Sequence, residues 1–518
     1  MMMALRFPMK FIELVMSCVT TPRFSFMING AQNGYLHSNR GLRQGDLMSP
    51  LLFVIGLEYL SRILVKVAQQ TDFKFHPRCE SLKLTHLCLA DDLLLFSKGD
   101  FKAIHLMLRG FQFFRIASKQ MEICHIWCGV EGGGLGSAYW MTCFIRSSLP
   151  FNYLRMTMSN KINTRADYEC LVDKMVVRMR NLSSRNLSFA ERCILINFVL
   201  LLIDTYRSQV VILPKTVLKR INQICRAFLW KSIDNYVGPG RVISWAEMCK
   251  SKQKGWLGFK DIGLWNFCTI IKYVWAIAKK EDNLWVKWVH NVYLKEVDWW
   301  SYNAPTTSRW YWNQIVKTKN ELKEVYPHNE ISWPSYSIAK VHKQLKKNTE
   351  IRWKYSPIWD RLGIPKHKFV TWLALKRRLQ TRDRLTRFGV TNDPLCVICG
   401  QFEESHIHLF FECHFSNQCI HQILYWLSIG SNRYELIGML NWVRRSRHSC
   451  CRIRFYYCAL IANVYQIWRA QNDACWNLKV PMACNVALKI KTDIYNKISF
   501  KAGKISKDDL DWVGKLQM

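Results

Sequence analysis

The stretch "CVICGQFEESHIHLFFEC", residues 396–413, decides how the second half of this chain folds. Cys396 and Cys399 stand with two residues between them, and His408 and Cys413 follow with four between them. Thiolates and imidazole are the groups zinc prefers, and four of them close a tetrahedral shell with no open position, so such a site is structural. His406 competes for the imidazole place, and His408 is favoured because it directly precedes "LFFEC". The plainer reading is a set of buried, unpaired cysteines near a histidine. Zn2+ here folds a small unit and fixes whatever lies beside it.

What lies beside it is "IPKHKFVTWLALKRRLQTRDRLTRFG", residues 364–389, with eight Lys or Arg against one Asp. Phe369, Trp372, Leu375 and Leu379 recur at helical spacing, and Thr381 is placed to cap a second short helix that stops at Gly389. Lys366, Lys368, Lys376, Arg377 and Arg378 are the candidates for phosphate contact; a solvated helix face is the alternative. The whole chain points the same way. It has 518 residues, 74 Lys plus Arg against 38 Asp plus Glu, and a formal charge of +36, which favours a polyanionic partner through counterion release. Nucleic acid leads, with an acidic membrane surface as the other class of partner for a basic protein. The length suggests several domains. The longest apolar run, "CILINFVLLLI" at 193–203, is too short for a membrane helix, so a soluble chain is expected. Twenty scattered cysteines and no clear leader suggest reduced thiols, an intracellular setting and no secretion.

The first half is organised differently. Residues 7–19 read as a helix, and "RFSFMINGAQNGYLH" reads as a hairpin with turn residues among Asn29, Gly30, Asn33 and Gly34. "GLRQGDLMSPLLFVIGLEYLSRILVKV", residues 41–67, predicts a long amphipathic helix through Phe53, Leu57, Leu60, Leu64 and Val67, with Ser49 as N-cap and Pro50 as first residue. "THLCLADDLLLF", residues 85–96, predicts two paired strands with Asp91 and Asp92 at the connection. Acids between leucine runs either occupy a turn or hold a cation. Residues 165–230 are helical in pattern, with Ser188 and Glu191 spaced as a capping box, and 264–290 continue the pattern. Residues 299–336 read as a looser connector, and the tryptophans at 285, 288, 299, 300, 310 and 312 serve either as core or as stacking platforms.

The segment "GLRQGD-MSPLLF" followed by "LADDLLLF" resembles the palm of reverse transcriptases, specifically those of plant non-LTR (LINE-type) retrotransposons. The cysteine cluster with "PIWDRLGIPKHKFVTWLALKRRLQTRDRLTRFGV" before it resembles the zinc-binding domain of the same polymerases. The resemblance implies an α+β, mainly helical chain: a partial palm at 1–118, a degenerate palm and primer-grip segment at 119–155, and a helical thumb-like region at 156–298. A connector at 299–352, a zinc-binding domain at 353–430 and a basic helical region at 431–518 complete it. It also implies RNA-templated DNA synthesis by two Mg2+ ions, with Asp91 and Asp92 as metal ligands and Arg43, Gln44 and Gly45 against template and nucleotide. Phe151, Tyr153 and Leu154 correspond to the start of the primer-gripping hairpin. RNA and DNA are the implied partners and the nucleus the implied location.

The chain departs from the family where chemistry is done. Relatives carry a further metal-binding Asp well before the glycine-bracketed loop, whereas here Glu13 is the only acid before Asp46. The lysine motif expected after the hairpin is missing between Lys119 and Lys161, and Arg155 stands where relatives have glycine. The chain therefore reads as beginning inside the palm, and two carboxylates do not hold two divalent ions in line as three do. Polymerase activity is not expected; a binding module without enzymatic activity is the alternative.

Overall fold

The computed structural model describes residues 2–37, 45–89, 92–118, 151–153, 156–158, 168–183, 187–200, 209–230, 243–325, 335–346, 357–360, 362–430, 435–499 and 507–516. They form two compact units, Met1–Asn163 with Ala276–Pro305, and Thr164–Trp275 with Thr306–Met518. Helices dominate, and the strands among the described residues form three two-stranded sheets, in keeping with a mainly helical α+β chain. No helix among the described residues is long and apolar enough to cross a membrane.

In the first unit α1 (Met9–Thr20) precedes an antiparallel hairpin of β1 (Arg23–Ile28) and β2 (Ala31–His37). Asn29 and Gly30, at φ of 50° and 84°, make its two-residue turn, the sign pattern that matches strand twist. α2 (Ser49–Ala68) contains Ser49 as its first residue, so the expected Ser49 cap is corrected: the Asp46 carboxylate receives the Met48 N–H at 3.1 Å instead. β3 (His86–Leu89) and β4 (Asp92–Leu95) pair as expected, with Leu89 opposite Asp92. α3 (Phe101–Ser118) lies close against α2 because Gly110 has no side chain; a Cβ there would meet a Val67 methyl at 2.8 Å. Leu60, Leu64, Val67, Met107 and Phe111 form the core between them, and Leu93 and Leu95 of β4 pack on it. β5 (Phe151–Tyr153) and β6 (Met156–Met158) form a short antiparallel hairpin. Residues 119–150 lie outside the described residues.

The second unit is helical. It holds α4 (Glu169–Ser183), α5 (Phe189–Leu195), α6 (Lys215–Trp230) and most of α7 (Ile262–Ala278). After them come α8 (Trp310–Val325), α9 (Ile338–Leu345), α10 (Pro365–Leu375), α11 (Arg382–Arg387) and α12 (His414–Trp426). Four more helices follow: α13 (Leu436–Arg445), α14 (Cys450–Asn477), α15 (Ala483–Ser499) and α16 (Lys507–Lys515). The capping box at α5 is formed, with Glu191 receiving the Ser188 N–H at 2.7 Å and Ser188 Oγ the Glu191 N–H at 3.4 Å.

α14 is buried on every side from Phe455 to Val464, which makes it the central helix that α10, α13 and α15 pack around. α13, α14 and α15 therefore belong to the same core as α10 of the zinc-binding segment. The stretch 299–352, read as a connector, contains two helices, α8 and α9. Trp299 and Trp312 are buried, and the Trp288 indole N–H donates to the Arg78 carbonyl at 2.9 Å.

Candidate zinc centre

Local structure explains why residues 396–413 close on themselves. Leu395 pairs with Glu403, the Cys396 N–H donates to the Phe402 carbonyl at 2.8 Å, and the Gly400 N–H donates to the Cys396 carbonyl at 2.7 Å. Gly400 sits at φ +67° with open space where a Cβ would be, so glycine is required there by the backbone rather than by crowding. The chain then passes through a wide turn, His408–Glu412, whose last bond runs from the Cys413 N–H to the His408 carbonyl at 2.7 Å. That turn places a histidine and a cysteine with four residues between them on one side.

The ligand atoms of Cys396, Cys399, His408 and Cys413 all lie within 4.8 Å of one another, and His408 Nε2 is 3.3 Å from Cys399 Sγ. Tetrahedral zinc with these ligands requires neighbouring ligand atoms roughly 3.5 Å apart, so the donors fit the ion. Among the described residues this is the one grouping of its kind. The backbone is already arranged for thiolates: N–H groups of Ile398 and Cys399 bond the Cys396 sulfur, and those of Phe415 and Ser416, at the start of α12, bond the Cys413 sulfur. Without metal, the hydrogen bond between Cys396 and Cys413 raises the Cys396 thiol and lowers that of Cys413. A bound zinc would replace that shared proton and supply structural cross-linking, with no open coordination position.

His406, the competing histidine, points elsewhere. It is buried against Thr381, with Nδ1 3.3 Å from the hydroxyl, and burial lowers its pKa to about 4, opposed by Asp383 and aided by Arg384 and Arg377.

Thr381 occupies the N-cap position of α11 but makes no side-chain cap hydrogen bond; its hydroxyl donates to Asp383. This corrects the expected cap. The group that receives the first helical N–H is Glu404, from the zinc loop: it accepts the Arg382 N–H at 3.1 Å, the Val397 N–H at 3.4 Å and the Gln471 amide at 2.9 Å. Glu404 is fully buried, and burial raises its pKa against the pull of those donors. Sequence reasoning missed it, and "EES" inside a cysteine cluster carries no signal for a cap supplied from twenty residues away. Glu404→Ala would leave one buried and two partly buried donors without this acceptor, and we expect a loss of about 2–4 kcal/mol in a denaturant titration. A change under half a kcal/mol would deny the carboxylate this role.

The basic residues named from sequence separate into two groups. Lys366, Arg377 and Arg378 are exposed, whereas Lys376 lies 3.6 Å over the Trp256 ring and the Lys368 stem packs against Gly363. α10 itself is buried through His367, Phe369, Thr371, Trp372 and Leu373, so the charge gathers at its two ends rather than along a face. Its C-terminal end adjoins α11. Burial lowers the Arg384 pKa, and repulsion from Arg378 and Arg387 lowers it further, with Asp383 alone opposing. Arg387 pairs with Asp383 at 3.3 Å, Arg382 pairs with Asp393, and Arg384 donates to the Arg377 carbonyl at 2.9 Å, so the α11 guanidiniums are held in place.

The resemblance also assigns residues to a polymerase site. Arg43, Gln44, Asp91 and Leu154 lie outside the described residues; Asp92 begins β4, Gly45 takes φ +92°, and Phe151 and Tyr153 lie in β5.

A knuckle with a Cys3His centre, buttressed by helices, defines a structural zinc-binding module. The family described as zinc-binding in reverse transcriptase matches residues 336–419, which spans α9 to the first half of α12 and includes all four ligands. The chain is also similar to two proteins of Arabidopsis thaliana. One is named as a ribonuclease H protein, 28% identical over 115 residues, which are 22% of this chain and 18% of that protein. The other is an uncharacterized mitochondrial protein, 40% identical over 68 residues, 13% of this chain and 56% of that one. The chain thus spans about a fifth and just over half of these relatives. The segment 336–419 is reverse-transcriptase-related, as its motifs imply.

Proposed function

We propose that this chain is a fragment of a LINE-type RNA-directed DNA polymerase that binds RNA and DNA through its zinc-ordered module and no longer extends a primer. The observation that carries this reading is the arginine cluster of α11, whose N-terminus is held by Glu404 of the zinc loop, inside the segment matched by the reverse-transcriptase zinc-binding family. With zinc bound, the loop would hold the basic helix in place, and phosphates would meet positioned guanidiniums.

In the same proposal the first unit is the remnant of the palm, with α2 and the β3–β4 hairpin as its core and the β5–β6 hairpin as the primer grip. α4 to α7 are the thumb. Asp91 and Asp92 supply two of the three carboxylates that a pair of Mg2+ ions needs, so the cage for nucleotidyl transfer is incomplete. Residence in the nucleus follows from the resemblance alone.

Primer extension on an RNA template tests the catalytic half, with Asp91→Asn as control. The expected result is no product from either chain; synthesis by the parent that the control abolishes would overturn it. Binding of a labelled oligonucleotide before and after chelation tests the other half. We expect affinity to fall at least tenfold without zinc and to fall steeply with salt. Affinity indifferent to chelator removes the zinc module from the account.

A further inference from the structure

Two large rings stand in solvent on the zinc module. Phe388, at the end of α11, is 65% exposed, and Phe402, on the returning arm of the knuckle, is 63% exposed. Apolar rings are costly to leave in water, and each is held by a neighbour. The Arg384 guanidinium carbon lies 5.8 Å from the Phe388 ring centre, and the Phe402 ring lies 5.6 Å from the His408 imidazole, whose orientation the metal would fix.

α11 separates the two positions. Its N-terminus is tied to Glu404, two residues beyond Phe402, and its C-terminus runs directly into Phe388. Along it the Arg387 side chain is 73% exposed with Asp383 at 3.3 Å, and Arg377 and Arg378 are exposed on the turn before it. Guanidiniums alone serve any phosphate backbone, duplex or single-stranded. Exposed rings beside them serve a ligand that carries both negative charge and free planar faces. A duplex hides its base faces in the stack; a single strand presents them.

We propose that the zinc module selects single-stranded over duplex nucleic acid, with bases stacked on Phe388 and Phe402 and phosphates held by Arg377, Arg378 and Arg387. The inference rests on the reading that this module binds nucleic acid at all.

The test uses the full zinc-loaded chain and fluorescence anisotropy with one mixed-sequence oligonucleotide, presented alone and annealed to its complement. The single strand is expected to bind at least tenfold tighter. Phe388→Ala should weaken single-strand binding roughly 5- to 100-fold while leaving duplex binding nearly unchanged, and Phe388→Trp should restore it. Arg387→Glu should weaken both ligands. Phe402→Ala should behave as Phe388→Ala does; because that ring touches a zinc ligand, its metal content is measured alongside, and Phe388, away from the metal, decides if zinc is lost.

Equal affinity of the parent chain for the two ligands would overturn the proposal. So would single-strand binding unchanged in both alanine variants, which would leave the rings for a protein partner. If the parent chain binds neither ligand, the underlying nucleic-acid reading fails first, and the two failures are told apart.

Discussion

Cys413→Ser is expected to abolish stoichiometric zinc binding and to unfold the knuckle. Its sulfur closes the cluster with Cys396, Cys399 and His408, and its N–H ends the turn that brings His408 round. Structural zinc of this kind contributes about 10–16 kcal/mol of apparent binding free energy at neutral pH, and that energy is folding energy for the loop it closes. The damage should spread, because the same loop supplies Glu404 to the start of α11 and to Gln471 on α14. Metal content by elemental analysis should drop from one ion per chain to none, and thermal unfolding should begin at lower temperature, as it should for the parent chain in chelator. His406→Ala is the contrast, since His406 faces Thr381, and it should keep its zinc. Retention of one ion by Cys413→Ser, or its loss from His406→Ala, would mean the ligand set is misassigned.

Trp372→Ala should cost about 3–5 kcal/mol, the range for removing a large buried aromatic. The side chain is fully buried, and its indole N–H donates to the Gly255 carbonyl at 2.9 Å. Its ring packs near Phe369 and Trp256, and Phe369 stacks in turn on Phe189 of α5, with ring centres 5.5 Å apart. The substitution thus opens a cavity where the first helix of the zinc module meets the helices before it. Urea unfolding of the chain read by far-UV dichroism is the measurement. Trp372→Phe, which keeps much of the volume and loses the donor, should cost less. An alanine variant as stable as the parent would show that α10 is not anchored there.

The same residues explain what could be read in advance. The Cys3His set was legible because its information is local: two residues between one pair, four between the other, and a glycine at the turn. The β1–β2 hairpin and the Ser188–Glu191 box were legible for the same reason, since hydrogen bonds between residues two or three apart leave their spacing in the sequence. The Ser49 cap failed because the helix already begins at Ser49, with Met48 in the cap position.

The amino-acid sequence by itself determined the Cys3His grouping, the helical character of the chain and the identity of the segment around the cysteines, because each depends on residue types at short, fixed separations. Tertiary structure alone decided which of the basic residues face solvent, that Glu404 caps a helix begun some twenty residues earlier, and that α14 runs through the centre of the second unit. Burial and long-range acceptors are properties of what the chain folds against, and the residues at either end of such a contact have no spacing rule to announce it.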